Sequence, residues 1–193
     1  MSRRLAAWAL AGVVATVATP AQQASLPKLP ALPSLDIAAY MGTWYQVAWI
    51  PNRFQKQCVS DTAATYRDRG DGTVEVLNRC KLASGGNDSV QGIARPPAGA
   101  ARIEAGQLKP ARLEVSFVPT WLRWTGIGWG AYWVVDLGPD GRYVIVSEPS
   151  REYLWVLARQ PALTPVDEVM VQARLQALGF DLARVQAHPH SPR

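Results

Sequence analysis

The sequence Gly42-Thr43-Trp44-Tyr45-Gln46-Val47-Ala48-Trp49-Ile50 is rich in aromatic and β-branched residues, a composition that favours a β-strand. The next stretches of this kind are residues 59–67 and 73–81. Between these two lies Arg69-Gly70-Asp71-Gly72, whose glycines suit the tight turn of a hairpin. The region therefore predicts a first strand followed by an antiparallel pair.

The rest of the chain continues this pattern of short strands and turns. Further strand patterns lie at residues 89–95, 111–118, 129–137, 142–147 and 152–159. Residues 96–110 fit no regular pattern and predict only an irregular strand. About eight short strands joined by hairpin-length turns favour an antiparallel sandwich or an up-and-down barrel.

A single helix is predicted after the last strand. Thr164 is a suitable N-cap, Pro165 fits the first helical position, and Gly179 ends the pattern. Apolar residues recur at helical spacing at Val166, Val169, Met170, Ala173 and Ala177. We expect this stripe to pack on the outside of the sheet.

The N-terminal residues have the features of an export signal. Arg3 and Arg4 precede an apolar run over residues 5–18, which is shorter than the roughly 20 residues that a transmembrane helix needs. Residues 1–24 therefore predict a signal peptide cleaved somewhere between positions 18 and 24, with an uncleaved anchor as the alternative. The proline-containing residues 25–34 predict an extended linker.

Charge and cysteine usage narrow the class of protein further. Arg3 and Arg4 supply two positive charges of the formal net charge of +5, and no Lys/Arg cluster stands out, so nucleic acid is not an expected partner. Cys58 and Cys80 are the only two cysteines. In an exported protein they predict a disulfide between the second and third strands, while a reactive thiol is the competing hypothesis. Residues 1–34 contain no cysteine for lipid attachment, so we expect a soluble or peripherally bound protein.

Two motifs resemble those of the lipocalins. Gly42-x-Trp44 with Asp36 and Tyr40 upstream is similar to the first lipocalin motif, and Tyr153-Leu154-Trp155-Val156-Leu157-Ala158-Arg159 is similar to the third. The resemblance covers residues 35–185 and is closest to the bacterial outer-membrane and apolipoprotein D-like branch. It implies an all-β fold, an eight-stranded antiparallel up-and-down β-barrel with one C-terminal α-helix packed outside. The middle motif survives only loosely, over residues 136–143.

The resemblance also implies roles for particular residues. Arg159 is expected to stack on Trp44 at the closed end of the barrel, beside Gly42. A barrel of this size holds a small ligand or an acyl chain. The side chains expected to line the lumen are those of Gln46, Ala48, Trp129, Ala131, Trp133, Tyr153, Trp155 and Leu157. The alternative is that these aromatic residues simply fill the barrel.

The loop over residues 117–130 places large apolar residues between two strands. Trp121, Leu122 and Trp124 are expensive to expose, so they predict either a lid over the barrel mouth or a contact with the membrane interface. Arg123 lies between the two indoles and suits anionic headgroups, which favours membrane contact.

The sequence gives little support for an enzyme. It contains neither G-x-S-x-G nor H-E-x-x-H, and its only histidines, His188 and His190, fall in the predicted flexible tail, residues 186–193. We therefore expect no catalytic residue, metal site or cofactor.

The predicted function is binding, and carriage or storage, of a lipid-like ligand such as a fatty acid or lysophospholipid. We expect a monomer or weak dimer in the periplasm or at the outer membrane, acting in envelope maintenance or stress. The alternatives are another hydrophobic cargo (haem, a pigment or an aromatic metabolite) and an envelope interaction protein with a solid barrel.

Overall fold

A computed structural model describes residues 26–123 and 125–192 of the chain. In chain order its elements are β1 (Leu35–Asp36), α1 (Ile37–Tyr40), β2 (Gly42–Trp49), β3 (Cys58–Asp68), β4 (Val74–Leu82), β5 (Asn87–Arg95), β6 (Arg102–Glu104), β7 (Gln107–Lys109), β8 (Arg112–Ser116), α2 (Thr120–Arg123), β9 (Trp129–Leu137), β10 (Tyr143–Ser147), β11 (Leu154–Ala158), α3 (Pro165–Ala177) and β12 (Gln186–Ala187). Short 3-10 turns lie at Arg53–Gln55, Pro139–Gly141 and Leu182–Arg184. The predicted signal peptide, residues 1–24, lies outside the described residues.

Eight of the strands form a closed antiparallel barrel. Around the barrel the strands follow the order β2, β3, β4, β5, β8, β9, β10 and β11, and each pairs with its neighbours in this order. Strand β11 also pairs with β2, which closes the barrel. The all-β barrel with a helix packed outside is thereby confirmed. Its closed end carries the β3–β4 turn and the start of β2, and its open end carries the loops over residues 50–57, 83–86, 117–128 and 148–153.

A small second sheet covers the closed end. Residues 96–110, predicted to be irregular, contain the β6–β7 hairpin, and β7 pairs with β1. Ala105 and Gly106 turn the chain with φ of 49° and 77°, the left-handed region that a tight turn requires. Leu108 and Leu35 stand opposite one another and are buried, so this sheet contributes apolar side chains to the barrel core.

Helix α3 packs on the outside of the barrel with a different face from the one predicted. Val166 and Val169 are exposed, whereas Val171 and Leu175 are buried against β10 and β11. The helix is rotated about its axis relative to the predicted orientation, because its first turn carries Asp167. This residue is buried and accepts a 2.8 Å hydrogen bond from Arg142 Nη2. A buried carboxylate needs such a partner, and this requirement outweighs the apolar stripe.

The two ends of the described chain lie against the barrel. In the predicted linker, Leu29 is buried beneath α3, and Leu32 N donates to Val134 O over 2.8 Å. The predicted flexible tail also differs from expectation, since β12 pairs with Trp49 and Ala48 of β2. This segment lies where β2 and β3 separate beyond Tyr45, and therefore completes the wall there.

Candidate functional site

The closed end of the barrel is sealed by Trp44 and Arg159. Trp44 is only 1% exposed, and its Nε1 donates to Tyr40 O over 2.8 Å. The Arg159 guanidinium lies 3.7 Å from the Trp44 ring and donates to the backbone carbonyls of Thr43 and Ala39. Gly42 adopts φ of 94° beside this guanidinium, a conformation that favours glycine. The cation–π contact and these three hydrogen bonds hold Trp44 and Arg159 across this end of the barrel.

The lumen is lined by an apolar inner cluster. Its buried members are Leu35, Ile37, Tyr40, Trp44, Ala64, Tyr66, Val74, Val76, Ala94, Leu108, Ala111, Leu113, Val134, Val144, Val146 and Leu157. Val115, Tyr132 and Trp155 pack against this cluster but keep part of their surface accessible. These three residues are therefore less buried than the members of the cluster.

Three tyrosine hydroxyl groups meet inside the barrel. Tyr132 Oη lies 2.5 Å from Tyr40 Oη and 2.9 Å from Tyr66 Oη. Asp36 caps α1, because its Oδ1 accepts from Ala39 N, and α1 ends at Tyr40, which enters the barrel from the closed end. Burial raises the pKa of Tyr66 to about 12 and raises the pKa of Tyr40 and Tyr132 well above the ordinary value.

A polar chain lies nearer the mouth. Trp155 Nε1 donates to Gln55 Oε1 over 2.8 Å, and Gln55 Nε2 donates to Gln46 Oε1 over 3.0 Å. Gln46 is buried, and its Nε2 finds no acceptor among the described residues. The Tyr153 ring stacks near Trp155 and also contacts Phe54. The mouth thus combines aromatic surface with amide groups that can bind a polar head.

The structure brings only some of the predicted lining residues to the lumen. Gln46, Trp155 and Leu157 belong to it, and Tyr153 lies at the mouth. Ala48 packs in the outer cluster beneath α3, because a bulge opposite Val156 and Leu157 reverses the alternation of β2.

Strand β9 has the opposite alternation from the one predicted. Trp133 packs in the outer cluster, and the Arg112 guanidinium lies 4.3 Å from its ring. Trp129 is covered by Arg95 at 3.9 Å, and Ala131 is exposed. The inward orientation expected for these three residues is therefore wrong, because arginines on the outer face of β8 and β5 cover the indoles.

Sequence reasoning missed Tyr132, Tyr66 and Val115 as lining residues. Residues directly opposite on neighbouring strands share a face, and Tyr132 stands opposite Leu113. The signal that could have found them was Arg112 opposite Trp133, since a charged residue in that register indicates the outer face.

Cys58 and Cys80 form the predicted disulfide, with 5.5 Å between their Cα atoms. It joins β3 to β4 near the open end, across two irregularities in the ladder. Because the bond uses both cysteines of the sequence, the competing hypothesis of a reactive thiol is excluded.

The open-end loops expose large apolar side chains. Trp121 is 71% exposed, Ile127 is 62% exposed, and Phe54 on the β2–β3 loop is 55% exposed. Leu122 is partly buried, and Trp124 lies outside the described residues. Arg123 Nε donates to Val118 O, which holds the turn of the loop.

The histidines of residues 186–192 are not solvated as expected. His188 is 6% exposed and its Nε2 accepts from Thr62 N, while His190 Nε2 lies 2.8 Å from Gln46 O. Burial lowers the pKa of His188 to about 4. Among residues 26–123 and 125–192, no group of three or more His, Cys, Asp and Glu side chains could hold a metal ion. Within the same ranges, no helix is long and apolar enough to cross a bilayer.

A closed eight-stranded barrel with an apolar lumen, sealed at one end, defines a protein that can enclose one small hydrophobic ligand. A family model described as a lipocalin-like domain matches residues 35–190. The chain belongs to the lipocalin family, whose members bind small hydrophobic ligands and are generally binding or transport proteins rather than enzymes.

Two relatives and one solved structure illustrate the membership. The chain is 32% identical over 158 residues to temperature-induced lipocalin-1 of Arabidopsis thaliana, and this alignment covers 81% of this chain and 80% of that protein. It is 32% identical over 151 residues to outer membrane lipoprotein Blc of Escherichia coli (strain K12), covering 77% and 76%. Insecticyanin from the tobacco hornworm Manduca sexta has the same fold, with a TM-score of 0.65 at 18% identity over 86% of each chain.

Proposed function

We propose that this lipocalin binds and carries a lipid-like molecule, such as a fatty acid or lysophospholipid, inside the barrel. The observation that carries the proposal is the apolar inner cluster of a closed barrel, against which Val115, Tyr132 and Trp155 pack while only partly buried. These residues extend from the mouth toward the closed end, a path that suits an acyl chain. The amides of Gln46 and Gln55 near the mouth suit the polar head of such a ligand.

We further propose that the protein is exported and works in cell-envelope maintenance or stress. Residues 1–24 have a signal-peptide pattern, and one relative is named as an outer membrane lipoprotein. Both cysteines are held in the disulfide, so neither is available for acylation in the oxidised protein. Periplasmic residence, or peripheral association with the outer membrane, is the expected location.

Native mass spectrometry with lipid extraction tests the carriage of lipid. The protein is expressed with its full sequence and purified from the envelope fraction, and a co-purifying fatty acid or lysophospholipid is expected. Trp155→Asp places a charge in the lumen and should abolish the bound lipid. The matched control is Trp129→Asp, which places the same charge outside the barrel beside Arg95 and should leave binding intact.

The same experiment separates the competing functions. Absorbance of a co-purifying haem or pigment would favour another cargo. An empty barrel that also fails to bind added acyl chains would contradict lipid carriage and favour a scaffold with a solid interior.

A second proposal concerns the open end, where Trp121, Ile127 and Phe54 expose apolar surface together. We propose that these side chains contact a membrane surface, with Arg53 and Lys56 on the β2–β3 loop attracted to anionic headgroups. Sedimentation with phosphatidylglycerol-containing vesicles is expected to capture the protein, and Trp121→Ser/Ile127→Ser should reduce capture several-fold. Val166→Ser/Val169→Ser, which removes two exposed apolar residues from α3, is the control. Equal capture of both double variants would contradict the membrane contact.

A further inference from the structure

Three elements distant in sequence bring phenol groups to one point of the lumen. Tyr40 ends α1, Tyr66 lies on β3 and Tyr132 lies on β9. The Tyr40 and Tyr66 rings lie 5.4 Å apart, and the Tyr132 hydroxyl contacts both of their hydroxyls. We call these residues the tyrosine cluster. Polar groups are costly at such depth in an apolar lumen unless their hydrogen bonds are satisfied.

The cluster has one more O–H donor than its internal hydrogen bonds require. Each phenol supplies one O–H donor, and each of the two contacts consumes one donor. One O–H therefore remains, whichever way the two hydrogen bonds point, and no third acceptor contacts the cluster among the described residues. Tyr132 is partly buried as a residue, whereas Tyr40 and Tyr66 are buried, so a ligand that approaches the cluster through the lumen does so past Tyr132.

The chemistry of the cluster selects the kind of group that it can bind. Its high pKa values keep all three phenols protonated at ordinary pH, so the cluster offers a donor and no negative charge. Arg159, the cation that acts on Tyr40, lies over Trp44 with its N–H groups bound to backbone carbonyls. A carboxylate at the cluster would be desolvated without a cation of its own, whereas a neutral oxygen needs only the one donor.

We propose that the tyrosine cluster binds a neutral acceptor oxygen, a ketone or ester carbonyl, in the part of the ligand that enters the barrel most deeply. The inference rests on the proposed lipid carriage and names a substrate class for it: lipids whose chain carries such an oxygen, in preference to plain saturated chains. The amides at the mouth then hold the opposite, more polar end of the same molecule.

The test compares stearic acid with a series of oxostearic acids that carry one ketone at successive positions. Binding is measured by displacement of a fluorescent fatty acid from the full-length protein. At least one ketone position should bind about 3- to 10-fold more tightly than stearic acid, the effect of one neutral hydrogen bond. If stearic acid itself does not bind, lipid carriage is wrong. If stearic acid binds and no ketone binds more tightly, only the role of the cluster is wrong.

Variants separate hydrogen bonding from shape. The triple variant Tyr40→Phe/Tyr66→Phe/Tyr132→Phe removes every donor and keeps the rings, so it should bind ketone and stearic acid equally. Tyr132→Phe alone releases two donors and should retain the ketone preference. Tyr143→Phe, in the outer cluster, is the matched control and should change nothing. Loss of the preference in the control, or its survival in the triple variant, would overturn the proposal.

A second readout needs only the wild-type protein, in case the triple variant does not fold. The infrared carbonyl stretch of the tightest-binding ketone, labelled with ¹³C, should shift to lower frequency than in an alkane solvent. An unshifted stretch would show that no donor reaches the oxygen, and would contradict the assignment.

Discussion

The two ends of the barrel are built in opposite ways. At the closed end, Trp44 is buried, its N–H is bonded, and Arg159 covers it with a guanidinium tied to two carbonyls. At the open end, Trp121 and Phe54 expose most of their surface. The comparison teaches that one end supplies the stability of the fold, which leaves the other end free to expose apolar groups that a ligand or membrane can contact.

Replacing Trp44, which closes one end of the barrel, should have the largest effect on stability. Trp44→Ala leaves a cavity and uncovers Arg159, so we expect the free energy of unfolding to fall by about 3–5 kcal/mol. Urea denaturation followed by circular dichroism measures this change. A loss below about 1 kcal/mol would show that the closed end is not the main source of stability.

Removing the disulfide tests how far the open end depends on a covalent link. Cys58→Ser/Cys80→Ser frees a loop with a sequence separation of 22, and we expect a loss of about 3 kcal/mol. The wild-type protein in excess dithiothreitol is the control and should unfold at the same urea concentration as the double variant. An unchanged midpoint in both would mean that the β3–β4 pairing holds the open end unaided.

Acidification should lower the free energy of unfolding through His188, by less than removal of the disulfide does. Its folded pKa of about 4 lies below the ordinary value of 6.5, so the unfolded chain binds a proton first as the pH falls. Stability should therefore decrease between pH 6.5 and pH 4, by about 2–3 kcal/mol.

The charged neighbours of His188 act in different directions. The imidazole of His190 lowers the pKa of His188 and the carboxylate of Asp61 raises it. The pKa of Asp61 is itself lowered by hydrogen bonds from Ser191, so its contribution is lost only at still lower pH. His188→Gln should remove the slope between pH 6.5 and pH 5, above the range in which Glu148 and Asp61 take up protons, in a series of urea titrations. A slope that persists in this variant would assign it to another group.

The exposed open-end residues should matter least to stability. Trp121→Ser removes a side chain that is 71% exposed, and we expect the free energy of unfolding to change by less than about 0.5 kcal/mol. Thermal denaturation of the variant beside the wild type checks this. A loss comparable with that of Trp44→Ala would mean that the loop packs over the mouth as a lid.

The sequence predicted the barrel because its defining contacts are carried by few residues. Trp44 and Arg159 stand in recognisable motifs at the two strands that close the sheet, and Cys58 and Cys80 stand on either side of one hairpin turn. These features depend on residue type and chain order, which can be read directly.

The site was predicted less well, because strand alternation is altered by local irregularities. The bulge near Val47 turned Ala48 outward, and the arginines over Trp129 and Trp133 satisfied indoles that were expected inside. The tyrosine cluster depends on Tyr40 entering from outside the barrel wall, a tertiary relation that no strand pattern contains.

The segment over residues 186–191 fills a slot between two strands. Gln186 and Ala187 pair with β2, Asp61 N donates to Pro189 O, and Ser191 binds the Asp61 carboxylate. A closed barrel is protected from aggregation because it has no free strand edges. Without this segment, β2 and β3 would each present unpaired backbone groups across the same slot, an arrangement that accepts a strand from a second molecule. The C-terminal segment thus supplies the hydrogen bonds that these two strand edges would otherwise lack.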